Sequence, residues 1–433
     1  MRLAWLLAAA LLPGLLVAGE MPLFFAACSD QGWACSELEG GAVDLDYTCG
    51  DAVGWNVIFR KESFVLPPSI NSLKISECVK VTAVTDFVSM DQNYSLNGLI
   101  LSNIQHLSFV EDYHATSPPR SIILEDIGLI PYLPPHIFAP SSWLWDSIVF
   151  QNVTIGQVAS EAFVNVTLST VFIWSFVHVE VLNASALNGI ILPNGEFVLE
   201  SCYFGKLDQY ALQVHAANVT IRNSYIGEVW SHGIYAEADR FTFSRNSGLE
   251  PVMFRALEVR ARETLIAGNR FGYLQVSALE GIGPLPGRAA YEFSGNAVRE
   301  ADPGSLHVDL LAYEGAGGTL SVEGNTFACS CDRLGWLGVL AAPGSHHRLL
   351  RDFHRALLDE RSRNACASGC GLPLGVLARL VADPRLCAAD LTGEQLCALH
   401  RDGTEPRAGA AVPLLAGWVA LLAILRVCAL PVC

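Results

Sequence analysis

The chain has 433 residues, is 51% hydrophobic, and carries a formal net charge of −16 with four lysines. That length holds two or three ordinary domains or one long repeat array. The acidic balance, with no lysine beyond Lys206, leaves no basic footprint for nucleic acid and mainly favours solubility.

At the start, Arg2 precedes an apolar run from Leu3 to Leu16 and small residues at Val17-Ala18-Gly19. This pattern predicts a secretory signal over 1–19, with the mature chain beginning near Glu20; the apolar run is short for a membrane span. Residues 20–72 are expected to form an N-terminal cysteine-containing cap. Cys28, Cys35, Cys49 and Cys78 at this end are disulfide candidates, because clustered cysteines in a secreted chain usually form local bridges. Asn-x-Ser/Thr sequons at Asn93, Asn152, Asn165, Asn183 and Asn218 are candidate N-glycosylation sites, all in the first half of the chain.

From about residue 73 to 328 one pattern recurs. Phe197-Val-Leu199-Glu-Ser-Cys202 is followed by Val219-Thr-Ile221-Arg-Asn-Ser224, Phe241-Thr-Phe243-Ser-Arg-Asn246 and Thr264-Leu-Ile266-Ala-Gly-Asn269. Each copy alternates like a strand and then ends in a small or polar residue at a fixed offset. Anchored on the third, inward residue, the series runs Ile75, Leu101, Leu124, Phe150, Trp174, Leu199, Ile221, Phe243, Ile266, Phe293 and Val322, with gaps of 22 to 29 residues. Trp174 could register in two ways within Phe172-Ile-Trp-Ser-Phe176. A repeat at this period signals a stacked array. A second alternating strand, Leu212-Gln-Val214, Ile234-Tyr-Ala236 and Leu257-Glu-Val259, lies 13 or 14 residues after the anchors.

Two strands per repeat resemble the right-handed parallel β-helix family more than a leucine-rich-repeat horseshoe, which uses one strand and a helical or irregular return. The resemblance implies an all-β solenoid of about eleven coils, a rod of about 50 Å at about 4.8 Å per rung. Asn246, Asn269, Asn296 and Asn325 share one offset, continued by Ser224 and Cys202, and are expected to satisfy one another in a ladder. Cys202 is then a small core residue with an unpaired thiol.

Residues 329–400 are expected to form a cysteine-rich C-terminal cap with disulfide candidates Cys329, Cys331, Cys366, Cys370, Cys387 and Cys397. Asn325-Thr-Phe-Ala-Cys329-Ser-Cys331-Asp-Arg-Leu-Gly-Trp336 resembles the C-terminal flank of extracellular leucine-rich repeats, with six cysteines in place of the usual four. That difference prevents carrying over the family's pairing. Caps are needed because a stacked parallel sheet has two open edges. His346–Arg361 reads as an amphipathic helix with Leu349, Leu350, Phe353, Leu357 and Leu358 inward. A linker, 401–407, leads to an uncharged run, Ala408–Leu425, then Arg426 and Val427–Cys433. This tail resembles a glycosylphosphatidylinositol attachment signal, with a single membrane span as the alternative. Either tethers the body outside the cell.

No His-Glu-x-x-His, Gly-x-Ser-x-Gly or phosphate-binding glycine loop is present, so no catalytic, cofactor-binding or metal residue is expected. His346, His347 and His354 near Cys366 and Cys370 could be imagined as zinc ligands, but cysteines in an oxidising compartment more often form disulfides. The best candidate ligand face is the outward side of the second strand, with Gln213, Tyr235 and Glu258 in one column and His215, Glu237 and Arg260 in the next. Trp230-Ser-His232 lies nearby. Together these residues imply an extracellular binding, adhesion or matrix-organising surface for a protein or glycan ligand. A carbohydrate-active enzyme using the same face is the alternative, and a receptor ectodomain is a third reading.

Overall fold

A computed structural model describes residues 20–22, 32–49, 56–59, 70–83, 96–110, 119–138, 144–328, 355–367, 370–381 and 393–401. These residues form an all-β parallel solenoid, with a few short helices near the C-terminus. All eleven predicted anchors stack as register partners, from Ile75↔Leu101 through Phe150↔Trp174↔Leu199 to Phe293↔Val322. Trp174 is therefore in the anchor register, and its side chain is fully buried. The solenoid completes about nine turns, fewer than the eleven coils expected. An anchor needs one strand, whereas a turn needs the whole circuit. Near the C-terminal end, the path from Ala301 to Thr319 runs through the helix Leu310–Gly315 instead of a strand.

The coil 212–233 shows how composition sets this path. Leu212, Val214 and Ala216 point inward, Ala217 and Asn218 are both half-buried, and Val219 and Ile221 are buried again. Two outward residues in succession shift the alternation by one, so the backbone turns a corner and keeps its apolar side on the axis. Leu212–Arg222 thus supplies two faces. A third, Tyr225–Val229, buries Ile226 and Val229. Gly227 lies between them because a Cβ there would strike the carbonyl oxygen of Gly205 on the preceding rung. Gly233, whose N–H donates to the Trp230 carbonyl at 2.8 Å, closes the coil.

The corner between the second and third faces is built the same way on every rung. Glu77, Asn103, Asp126, Asn152, Phe176, Ser201, Asn223, Arg245, Gly268, Gly295, Gly324 and Arg363 all take left-handed φ, from 51 to 66°. Each is followed by a buried residue, giving one column along the axis: Cys78, Ile104, Ile127, Val153, Val177, Cys202, Ser224, Asn246, Asn269, Asn296, Asn325 and Asn364. The N-terminal half of this column is apolar and is held by contact with the core. The C-terminal half is amide, and each Asn Oδ1 accepts the backbone N–H of the column residue before it. These bonds are 3.0 Å from Ser224, 2.9 Å from Asn246, Asn269 and Asn296, and 3.0 Å from Asn325. Asn246, Asn269, Asn296 and Asn325 each donate from Nδ2 onward to the next Oδ1 and to a carbonyl one rung back, as from Asn269 to Asn296 at 3.0 Å and to Phe243 at 2.8 Å.

Cys202 sits at the changeover, unpaired and buried, its Sγ 3.4 Å from the carbonyl oxygens of both Trp174 and Glu200. Burial pushes its thiol up to about 12, outweighing the backbone hydrogen bonds that lower it. Because the folded value is raised, the stabilisation is complete below the unfolded thiol's ionisation and is lost as pH climbs through about 12. We expect the folded chain to show no reaction of Cys202 with a thiol reagent at about pH 8 and full reaction in denaturant. Rapid native labelling of Cys202, located by peptide mapping, would contradict this placement.

The middle rungs are filled by aromatic side chains. Phe138 stacks on Phe163 at 4.4 Å, Phe150 on Trp174 at 5.4 Å and Phe172 on Phe197 at 4.9 Å between ring centroids. At the N-terminal end, the hairpin of Trp33–Glu37 with Val43–Thr48 lays its second strand parallel on Ile70–Ala83, and Cys49 is bridged to Cys78. At the other end, Ala365–Cys366 adds a parallel strand onto Thr326–Phe327, and Cys370 is bridged to Cys397. Cys35 and Cys366 are also disulfide-bonded. Cys28, Cys329, Cys331 and Cys387 lie outside the described residues, as do the signal, the tail and most of the predicted helix 346–361. Residues 355–358 of that helix are helical, with Leu357 buried and Leu358 half-buried; Glu360–Ser362 form a 3-10 turn.

Candidate ligand-binding faces

The columns expected on the first face are in register. Gln213 pairs with Tyr235 and Tyr235 with Glu258, while His215 pairs with Glu237 and Glu237 with Arg260. Their charges are largely used between rungs. His215 Nδ1 lies 3.5 Å from Glu237, and Glu258 takes both His232 Nδ1 at 2.6 Å and Arg255 at 3.5 Å. The Trp230-Ser-His232 turn therefore points its histidine at Glu258, with Tyr210 stacked on that histidine at 5.0 Å. Burial, then the carboxylates Glu237 and Glu258, raise the Tyr235 hydroxyl, with Arg260 opposing. Apart from Arg260, the charges of this face are paired, mostly between neighbouring rungs, each exposed pair contributing well under about 1 kcal/mol.

The third face carries a different surface. His178, Tyr203 and Tyr225 occupy one outward column and stack at 4.3 and 4.9 Å. Phe176, two residues before His178, is 62% exposed at a left-handed corner position filled on other rungs by polar or charged residues and glycine. A bulky residue at positive φ costs conformational energy, and here its ring is turned to solvent. Lys206 Nζ sits 3.9 Å from the centroid of Trp230 and 3.3 Å from Asp208, and the Trp230 indole N–H donates to Glu228 at 3.0 Å.

Beyond Tyr225 the same column reads Ser247, Arg270, Ala297 and Thr326, and the surface drops into an open groove of about 460 Å³. Its floor is made of small residues, including Gly248, Gly272, Ala328 and Ala367. Glu250 and Arg299 form an ion pair along one side.

Searches of protein-family models, curated proteins and solved structures find no match to this chain. The face geometry and surface chemistry therefore carry the functional reading.

Of the sequon asparagines, Asn152 and Asn165 are exposed and Asn183 and Asn218 half-buried; Asn93 lies outside the described residues. Asn152 Nδ2 donates to Asp126 at 2.7 Å. Of the imagined zinc ligands, Cys366 and Cys370 are disulfide-bonded, and the three histidines lie outside the described residues. No group of three or more metal-ligating side chains occurs among the described residues. No described helix is long and apolar enough to cross a membrane; the tail 408–433 is not among those residues.

The first face follows from the sequence pattern, whereas the third was missed. The residues of the third face carry a signal, since Tyr203 and Tyr225 each follow a column residue, Cys202 and Ser224, at the same offset.

Proposed function

We propose that the chain is an extracellular, membrane-tethered glycoprotein whose solenoid is a rigid binding or adhesion surface for a protein or glycan. The observation that carries this reading is the third face, where outward, stacked aromatic side chains on consecutive rungs run into a groove floored by small residues. Aromatic side chains held rigid on a scaffold lose little entropy on contact, which suits them to recognition. The Cys49–Cys78 and Cys370–Cys397 bridges fit an oxidising compartment, and the surface position of four sequon asparagines fits glycosylation there. The tail is proposed as a lipid-anchor signal, with a span as the alternative. Release from expressing cells by phosphatidylinositol-specific phospholipase C tests it.

The functional test uses cells displaying the full chain on wells coated with matrix proteins or glycans. Adhesion to at least one coating above control cells, lost in a Tyr203→Ser/Tyr225→Ser variant that still reaches the surface, is the expected result. Equal adhesion of displaying and control cells on every coating overturns the reading.

A further inference from the structure

The groove beside Tyr225 carries an exposed cation. Arg270 stands in the outward column between Ser247 and Ala297, exposed, and no acidic side chain pairs with it among the described residues. Arg245 is also exposed and without an acidic partner there, and its side chain lies across Gly268, the corner residue of the next rung. By contrast, Arg222, Arg240, Arg255, Arg262 and Arg299 are each paired with a carboxylate. In a chain of net charge −16, the unpaired guanidinium of Arg270 in this groove is a local site for an anion, with Arg245 at the corner of the preceding rung adding positive charge.

The rest of the groove narrows the class of anion. Its floor offers hydroxyls at Ser247 and Thr326, with the edge of the Tyr225 ring at the entrance. An extended peptide gains most of its affinity by adding to an open strand edge, but here the rungs pair with one another along the axis, leaving only side chains to contact. The chain's overall negative charge opposes densely charged polymers at long range, so sparse charges among hydroxyls fit better. All five sequons end at Asn218, which leaves the rungs around the groove free of them.

We propose that this groove binds an oligosaccharide bearing a carboxylate, whose acid group is held by Arg270. The proposal rests on the adhesion-surface reading above and names the ligand class for that surface.

The test uses the full chain displayed on cells, probed with biotinylated sialyllactose and hyaluronan oligosaccharide, each beside its carboxyl-reduced counterpart. We expect at least one acidic probe to bind and its reduced form to bind about tenfold more weakly, with a similar loss in Arg270→Ala. Arg270→Lys keeps the charge but not the fork and should recover part of the binding. Arg262→Ala, which removes a partner of Asp239 away from the groove, should bind as the parent does. If the displaying cells adhere but no acidic probe binds, or if Arg270→Ala binds unchanged, the ligand assignment is overturned while the adhesion surface stands. Capture of acidic peptides instead of glycans at Arg270 also overturns it.

Discussion

Replacing Asn269 by leucine is expected to destabilise the solenoid by about 2–5 kcal/mol, because it removes one amide and strands the groups on both sides of it. The Asn246 N–H would lose its acceptor at 2.9 Å, and the Phe243 carbonyl a donor at 2.8 Å, both buried where water cannot replace them. Leucine has the same branched skeleton of side-chain heavy atoms and leaves no cavity, so the loss reports the missing hydrogen bonds together with some crowding by its bulkier methyl groups. Asn269→Ser should cost less, since the column already uses a serine at Ser224, whose Oγ accepts the Cys202 N–H at 3.1 Å. Equilibrium denaturation of the three proteins decides the matter. If the leucine variant is within about 0.5 kcal/mol of the parent, the amide ladder does not hold this corner.

Why the column changes chemistry follows from its neighbours. From Ile104 to Val177 the corner residue is aliphatic and packs on the aromatic core of the middle rungs. From Asn246 onward the corner is made by amides, preceded at Gly268, Gly295 and Gly324 by glycine, which takes the left-handed conformation without a Cβ penalty. Both solutions give the same bend. One relies on burial and the other on paired donors and acceptors.

This contrast explains what could be read in advance. The anchors were legible because inward positions on a stacked sheet must be apolar on every rung, so even Phe150, Trp174 and Leu199 fall into one ladder despite unequal spacing. The column was legible from Cys202 through Ser224 to Asn325, where small or amide residues mark its offset. Its extension to Ile104, Ile127 and Val177 has no chemical signature that separates it from core. The third face was missed because Ile226 and Val229 point inward three residues apart, which is not the period of a flat strand, so only the shared offset of Tyr203 and Tyr225 marks it. The columns of the first face could be placed because they lie on regular alternation, yet their charges are spent on neighbouring rungs. The groove depends on small residues, and small residues give a sequence pattern little contrast.

Asn364 was missed for another reason. It lies 39 residues beyond Asn325, across a stretch with no repeat, yet it occupies the next place in the ladder. Its Oδ1 accepts from both Asn325 N–H and Nδ2, at 3.0 and 2.9 Å, and its Nδ2 reaches the carbonyls of Val322 and Leu357 at 2.9 and 3.0 Å. One buried side chain therefore joins the last rungs to the cap. Asn364→Leu should leave the Asn325 backbone N–H without its acceptor and its Nδ2 with only the Phe293 carbonyl, and loosen the cap by about 2–4 kcal/mol. In a stacked array each unit touches mainly its neighbours, so the damage should stay near the end. Hydrogen exchange is expected to speed up at Thr326 and Phe327 while Leu212–Arg222 keeps its protection. Equal loss of protection along the whole ladder would show that the solenoid unfolds as one cooperative body, and unchanged exchange at Thr326 and Phe327 would show that Asn364 does not hold the cap.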